Sequence, residues 1–214
     1  MAIEQFRKGM MQELLSRHAK FFAADKKEPR QFLQGIRYTE NGAACVTNTH
    51  VLLRIKDVSP FDKPRTIHAV TGAELGSEYM SVDAINDLFK WDPLNTLTLT
   101  NEQIEAVTKY AKIAQQIEKE LKAKTKIVKF ALNKNNAFLQ VSDQGVEFNV
   151  FMGELREYQD ETWLFNADFL YNALCVFKGA GTKDLVIKLR HKNDVISLTD
   201  DENGIDVLLL PIRS

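Results

Sequence analysis

The chain has little of what disulfide-stapled, membrane-spanning or nucleic-acid-coating proteins need. It contains two cysteines, Cys45 and Cys175, which are too few and too far apart for a disulfide framework or a zinc knuckle. No apolar run approaches the roughly 18 residues that cross a bilayer. The formal charge of −1 excludes a protein that coats nucleic acid through bulk charge, but it allows a local basic stripe. We expect buried free thiols in a soluble protein of the cytoplasm.

Motifs of the common enzyme classes are also absent. The sequence contains no GxSxG, no HExxH, no P-loop and no glycine-rich dinucleotide turn. Its four histidines are scattered without metal-ligand spacing, at His18, His50, His68 and His191. The acidic run Asp200, Asp201 and Glu202 could serve a metal-dependent hydrolase or nuclease, but a solvated turn is the favoured interpretation. The sequence therefore predicts no enzymatic activity, no catalytic residue, no metal and no cofactor.

What is present is an ordinary globular composition over 214 residues, with 44% hydrophobic and 27% charged side chains. The first segment has apolar residues at helical spacing, which predicts a helix with one buried face formed by Phe6, Met10, Leu14, His18 and Phe21, with Met11 and Phe22 alongside. Turn-linked strands follow, then a short helix that Ser81 caps and that ends at Lys90, then a strand over residues 96–99.

The same order of elements begins again at Thr100. A capping box of Thr100 and Gln103 opens a second long helix, whose apolar stripe runs from Ile104 to Leu121. Strands, a helix capped by Asn166 and three further strands complete the chain. The two halves are offset by about 90 to 98 residues, which indicates a repeated unit. The sequence thus predicts two similar α+β domains, over residues 1–100 and 101–214.

Positive charge is concentrated in one stretch of the second half. Residues 109–134 contain eight lysines and two glutamates. On the helix, Lys109, Lys112, Gln116 and Lys119 form one polar stripe that could follow phosphates without reading sequence. An ordinary solvated helix face, with Glu105 mixed in, fits this pattern equally well.

Three segments, taken in order, resemble a known family. The first is Arg-Gln-Phe-Leu-Gln-Gly-Ile-Arg-Tyr at 30–38 with Val-Thr-Asn-Thr-His-Val-Leu at 46–52. The second is Asn-Ala-Asp-Phe-Leu-Tyr-Asn-Ala-Leu at 166–174, and the third is Val-Leu-Leu-Leu-Pro-Ile-Arg-Ser at 207–214. They resemble the middle and last domains of the bacterial sliding clamp, the beta subunit of DNA polymerase III. The chain departs from the family at Asn48, Thr49 and Val51, where the family has Asp, Gly and Arg.

The resemblance implies an α+β fold of two sliding-clamp-like (DNA clamp) domains, each with two helices packed on antiparallel sheets. Residues 1–100 would be a shortened middle domain and residues 101–214 the last domain. The implied function is a polymerase processivity factor in DNA replication that does no chemistry and is encoded by a phage or prophage. Family rings contain six such domains, so a two-domain chain would form a homotrimer, and a monomer is the rival.

The resemblance also implies two sites. A groove between the domains would bind short hydrophobic peptides of a DNA polymerase or other replication proteins, through Leu33, Thr47, Thr49, His50, Val51, Leu52, Leu208, Leu210, Pro211, Ile212 and Arg213. Duplex DNA would be contacted without sequence preference by Lys8, Lys20, Lys109, Lys112, Lys119 and Lys178, and no membrane is involved. The alternative is a monomeric clamp-fold module or decoy that binds such peptides without encircling DNA.

Overall fold

The computed structural model describes residues 2–76, 82–120, 127–143, 146–155 and 160–213. Within these ranges the chain is mixed α and β, with four α-helices and antiparallel strands. It divides into two compact units, Met1–Asp92 with Asp201–Val207, and Pro93–Asp200 with Leu208–Ser214. The predicted α+β class with antiparallel sheets is therefore confirmed. No helix in the described ranges is long and apolar enough to span a bilayer.

The first unit is a helix followed by an antiparallel sheet. Its strands follow the order β5-β4-β1-β2-β3. Two 3₁₀ turns, Ala19–Phe21 and Gln31–Gln34, precede the sheet, whose first strand begins at Gly35. The predicted cap Ser81 lies outside the described residues. The elements are α1 Ala2–His18, β1 Gly35–Tyr38, β2 Ala44–Thr47, β3 Val51–Ile55, β4 Arg65–His68, β5 Glu74–Leu75 and α2 Val82–Asp87.

The buried face of α1 differs from the predicted one. Met11, Leu14 and Leu15 are buried, together with Ala19 and Phe22 just beyond the helix. The predicted core residues Phe6, Met10 and Phe21 are instead 77%, 38% and 44% exposed. Residues 4–10 are exposed without exception, so the first turns of α1 extend past the surface that buries the rest. The prediction was wrong because two apolar stripes lie side by side on this helix and packing buries one of them.

The second unit contains a long helix, a four-stranded sheet and a further antiparallel set of strands. The four-stranded sheet has the order β10-β7-β8-β9, and β11 lies between β6 and β12. The strand expected at residues 96–99 is thus paired within the second unit. The elements are β6 Asn95–Thr100, α3 Asn101–Glu120, β7 Ile127–Asn133, β8 Asn136–Asp143, β9 Val146–Glu154, β10 Glu161–Asn166, α4 Ala167–Ala180, β11 Asp184–Leu189 and β12 Ile196–Asp200.

Local sequence signals account for both long helices of the second unit. The Thr100 backbone N–H donates to Gln103 Oε1 at 2.8 Å, and the Gln103 N–H donates to Thr100 Oγ1 at 3.4 Å, which is the predicted capping box. Asn166 accepts from the N–H groups of Asp168 and Phe169, as expected for the cap of α4. Apolar side chains of the two helices are buried, namely Ile104, Val107, Ala111, Ala114, Leu170, Leu174 and Phe177. Leu121, predicted to extend this stripe, lies outside the described residues.

The last strand, β13 Ile205–Leu209, is divided between the units. Residues 205–207 belong to the first unit, where β13 follows β3 in the strand order, and Leu208 and Leu209 belong to the second. Val207 and Leu209 are fully buried. The first unit is therefore completed by a segment from near the end of the sequence.

Candidate functional site

The hairpin between β2 and β3 carries most of the first unit's predicted groove residues. Thr47 Oγ1 donates to the Val51 carbonyl at 2.8 Å, and Asn48 Oδ1 accepts from the N–H groups of His50 and Val51 at 3.0 and 3.1 Å. Thr49 has φ of 76°, which a β-branched residue rarely adopts. These bonds make a tight turn that exposes Thr49 and His50 to solvent.

The apolar positions predicted for the same part of the groove are buried. Leu33, in the 3₁₀ turn before β1, is 3% exposed, and Val51 and Leu52 are 2% and 5% exposed. Thr47 is buried as well. Side chains this deeply packed offer no free surface to a peptide anchor, so they act as core beneath the turn in this conformation.

The second unit holds the remaining predicted groove residues in its last segment. Leu208 is buried, Leu210 is 43% exposed, and Pro211 and Ile212 are half-buried. The Ile212 N–H donates to the Leu164 carbonyl of β10 at 2.7 Å, which fixes the segment beside that strand. Arg213 is exposed. Leu210, Pro211 and Ile212 therefore form an accessible apolar surface with a cation beside it.

The second unit also presents lysines from two helices on neighbouring positions. Lys112 on α3 and Lys178 on α4 are exposed. Burial raises the pKa of the half-buried Cys175 thiol, and the hydrogen bond with Tyr171 and the positive charges of Lys178 and Lys112 offset part of that rise. Gln115 Nε2 donates to Asp168 Oδ1 at 2.6 Å and links the two helices. Lys109 and Lys119 are exposed on α3 as well.

The first unit is less basic around its two predicted DNA-facing lysines. Lys8 on α1 lines a cleft of about 600 Å³ that also contains Asp57, Asp201 and Glu202. Lys20 Nζ lies 5.0 Å from the centre of the Phe21 ring. Both lysines are exposed, but acidic or apolar groups accompany them.

The acidic run at residues 200–202 lacks the geometry of a metal site. Asp200 is buried and accepts a hydrogen bond from the Thr182 hydroxyl at 2.6 Å. The Asp201 side chain is 86% exposed, with Lys56 Nζ 3.8 Å from its Oδ1. Across the described part of the chain, no cluster of three or more His, Cys, Asp or Glu side chains could hold a metal ion. The metal-dependent hydrolase therefore has no structural support.

One buried charged cluster was not predicted from the sequence. Arg54 on β3 donates from Nε and Nη2 to Asp206 on β13 and from Nη1 to Asn86, and it lies 3.7 Å from the centre of the Phe89 ring. The two ion-pair partners are 152 residues apart in sequence. No local pattern links residues so distant, so only the fold reveals the pair.

Among the comparisons with known proteins, the comparison with solved structures found similar folds. No protein-family model matches the chain, and no curated protein sequence matches it. The chain is similar to the crystal structure of the DNA polymerase sliding clamp of Bacillus subtilis, with a TM-score of 0.74, 15% identity and coverage of 95% of this chain and 62% of that one. The beta subunit of the Streptococcus pyogenes DNA polymerase has a TM-score of 0.74 and 16% identity, with 97% and 64% coverage.

A third structure adds a bound partner. The Helicobacter pylori beta clamp, crystallised with a DNA ligase peptide, has a TM-score of 0.68 and 13% identity, and the match covers 95% of this chain and 62% of the clamp. The chain spans less than two thirds of the length of these clamps. Nearly the whole chain therefore has the sliding-clamp fold, and the resemblance inferred from three short segments is confirmed at the level of fold.

Proposed function

We propose that this chain is a clamp-like accessory of DNA replication, a processivity factor that tethers a polymerase to duplex DNA and performs no chemistry itself. The observation that carries the proposal is the sliding-clamp fold, which extends over 95% or more of the chain. The absence of enzyme motifs from the sequence is compatible with it. Such a protein would act in the cytoplasm, and a phage or prophage origin is part of the proposal.

Partner binding is proposed at the groove residues that remain accessible. In the second unit, Leu210, Pro211 and Ile212 supply apolar surface and Arg213 supplies a cation. In the first unit, Thr49 and His50 supply exposed polar groups that can contact a peptide. The peptide-bound Helicobacter pylori clamp supports this mode of recognition by analogy. The expected partners are a DNA polymerase or other replication proteins with a short segment that carries leucine and phenylalanine.

DNA contact is proposed mainly for the second unit. Lys109, Lys112, Lys119 and Lys178 are exposed on its two long helices, and lysines so placed can contact phosphates without reading bases. Three copies of this two-domain chain would supply the six domains of a ring, so a homotrimer is the proposed assembly.

A primer-extension assay tests the tethering function. The full chain, loaded with its polymerase on a long primed circular template, is expected to lengthen the products made in one binding event. Electron microscopy of the same sample is expected to show rings. If product length stays unchanged and no ring forms, the processivity proposal is refuted.

The alternative is a monomeric clamp-fold module that binds clamp-binding peptides without encircling DNA. The acidic and apolar surroundings of Lys8 and Lys20 favour it, because they make the first unit a poor phosphate surface. Two measurements distinguish the monomeric module from the ring-forming processivity factor. Light scattering at several concentrations gives the molecular mass, and fluorescence anisotropy of a labelled Leu-Phe peptide gives peptide binding. A constant monomer mass with peptide binding that Ile212→Glu abolishes, and that the exposed control Ile113→Glu retains, supports the module.

A further inference from the structure

Helix α1 and the 3₁₀ turn that follows it carry an exposed apolar strip that neither proposed site uses. The strip consists of Phe6, Met10 and Phe21, which are 77%, 38% and 44% exposed. Among large apolar side chains in the described residues, Phe6 has the largest exposed fraction. Phe6 and Met10 lie about one turn apart on α1, and Phe21 lies in the 3₁₀ turn Ala19–Phe21 beyond the end of the helix.

The first turns of α1 have little support from the rest of the first unit. Residues 4–10 are all exposed, and the cleft of about 600 Å³ lies against the same turns, lined by Arg7, Lys8 and Met11. A helical segment this short gains most of its stability in proteins by packing. In the part of the chain that the structure describes, nothing outside the helix's own backbone lies within 4 Å of the position that a Cβ of Gly9 would occupy, so a second backbone can approach closely beside Phe6.

The charges around the strip are mostly positive. Arg7, Arg17 and Lys20 adjoin it and are opposed by Glu13, which gives a net charge of +2. Arg17 Nη2 lies 2.7 Å from Glu13 Oε1, and both side chains are more than half exposed. The strip is therefore apolar at Phe6, Met10 and Phe21, is interrupted between Met10 and Phe21 by the exposed Arg17–Glu13 pair, and has a net positive border.

The apolar side chains and the positive border together favour one kind of binding partner over the others. Two copies of the strip would bring two net positive borders together, which opposes self-association. A phosphate backbone would use Arg17 and Lys20 but would leave Phe6 and Met10 without apolar contacts. A helix with apolar residues on one face and acidic residues beside them satisfies both features. We propose that the α1 strip is a docking surface for an acidic amphipathic helix of another protein.

The docking surface has a consequence for DNA contact that rests on the proposed function. Lys20 belongs both to the border of the strip and to the expected DNA-facing set. An acidic helix seated on α1 would thus occupy the phosphate position at Lys20, and a partner bound there would compete with duplex DNA for the first unit.

The test uses a defined probe and the full chain, without DNA or polymerase. The probe is a synthetic 18-residue helical peptide with leucines at i, i+3 and i+4 spacing and glutamates flanking them. A peptide of identical composition with shuffled leucine positions is the control. With ¹³C-methyl-labelled methionine, the probe is expected to shift the Met10 signal and to leave Met152, which is 2% exposed in the second unit, unchanged.

Point variants then show which side chains contribute to the affinity for the probe. Phe6→Ala is expected to weaken probe binding about tenfold or more, whereas Val70→Ala, at a side chain that is 71% exposed in the same unit, leaves it unchanged. Arg17→Glu is expected to weaken binding and to reduce its salt dependence, with the exposed Lys63→Glu as the matched charge control. Because all four positions are exposed, the variants are expected to fold.

Three results would overturn the docking proposal. The first is equal binding of the shuffled peptide or unchanged affinity of Phe6→Ala. The second is a concentration-dependent dimer that Phe6→Ala dissolves, which would assign the strip to a second copy. The third is loss of DNA binding in Phe6→Ala with no probe binding to the wild type, which would assign it to DNA. Since the peptide assay contains no polymerase, its failure leaves the processivity proposal standing.

Discussion

Arg54 donates two hydrogen bonds to a single oxygen of Asp206, from Nε at 2.9 Å and from Nη2 at 2.8 Å to Oδ2. The two side chains are only 11% and 5% exposed. Asn86 accepts the bond from Nη1, and the Phe89 ring covers the guanidinium. The pair therefore joins β3, β13 and the region of α2 within the first unit.

Loss of the arginine should destabilise the protein strongly. Arg54→Met is expected to lower the free energy of unfolding by about 3 kcal/mol, because Asp206 stays buried without its main partner. Lys56 Nζ, 3.5 Å from Asp206 Oδ2, compensates in part. Urea denaturation measures the change. The control is Arg65→Met, at an exposed pair with Glu74, for which a loss under about 1 kcal/mol is expected. Equal losses would contradict the buried role of Arg54.

The turn between β2 and β3 stores backbone strain at Thr49. Thr49→Gly is expected to raise the free energy of unfolding by about 1 kcal/mol, because glycine adopts a φ of 76° without the steric cost that threonine has. Thermal or urea unfolding measures it. Gly42→Ala, at a φ of 81°, is the matched opposite change and should be destabilising. A destabilised Thr49→Gly protein would show that the threonine side chain makes a compensating contact.

Stability should depend on pH through His18. Burial, and to a smaller extent the charge of Arg17, lower the pKa of His18 below 6.5 in the folded state, and its buried Nδ1 has no hydrogen-bond partner among the described residues. The unfolded chain therefore binds the proton first. This contribution is fully present above pH 6.5 and is lost as the pH falls from 6.5 toward the lower folded pKa. The free energy of unfolding of the wild type should therefore fall as the pH drops below 6.5, and that of His18→Gln should fall less. An unchanged pH dependence in the variant would refute the assignment.

The lysines of α3 and α4 should control DNA affinity if the proposed DNA contact is correct. Lys112→Glu and Lys178→Glu are each expected to weaken binding of a labelled duplex and to reduce the slope of log K against log salt by about 1. Fluorescence anisotropy at several salt concentrations measures both effects. Lys192→Glu, exposed elsewhere in the same unit, is the control. The same loss in all three variants would indicate a bulk charge effect and no defined surface.

The helices of the second unit could be predicted because their signals are local. The Thr100–Gln103 box and the Asn166 cap involve residues within three positions of each other, and the apolar spacing of α3 has one stripe. The face of α1 could not be predicted in the same way, because Phe6 and Met10 are as apolar as the residues that are buried. Which stripe of α1 is buried depends on how far the rest of the first unit extends along the helix, and the local sequence does not report this.

Other features depend on pairing partners distant in sequence. Strand β10 was missed, although Trp163 and Phe165 alternate with more exposed neighbours, because the Asn166 cap dominates that segment. The groove positions were chosen by resemblance, which cannot report burial, so Leu33 and Leu52 were included although they are packed. No short stretch of the sequence predicts the Arg54–Asp206 pair, because its two members are 152 residues apart.

The return of Asp201–Val207 to the first unit links folding to the order of synthesis. Lys56 donates its backbone N–H to the Gly204 carbonyl, and Arg54 pairs with Asp206, so the first unit requires a segment that is synthesised well after residues 1–92. While the chain is on the ribosome, residues 1–92 have no β13 to pair with β3. Contacts of such long sequence separation form slowly, since a long loop must close before they add stability. We therefore expect the first unit to reach its native state only after residues 201–207 have been synthesised, and nascent chains truncated before residue 201 to depend on chaperones.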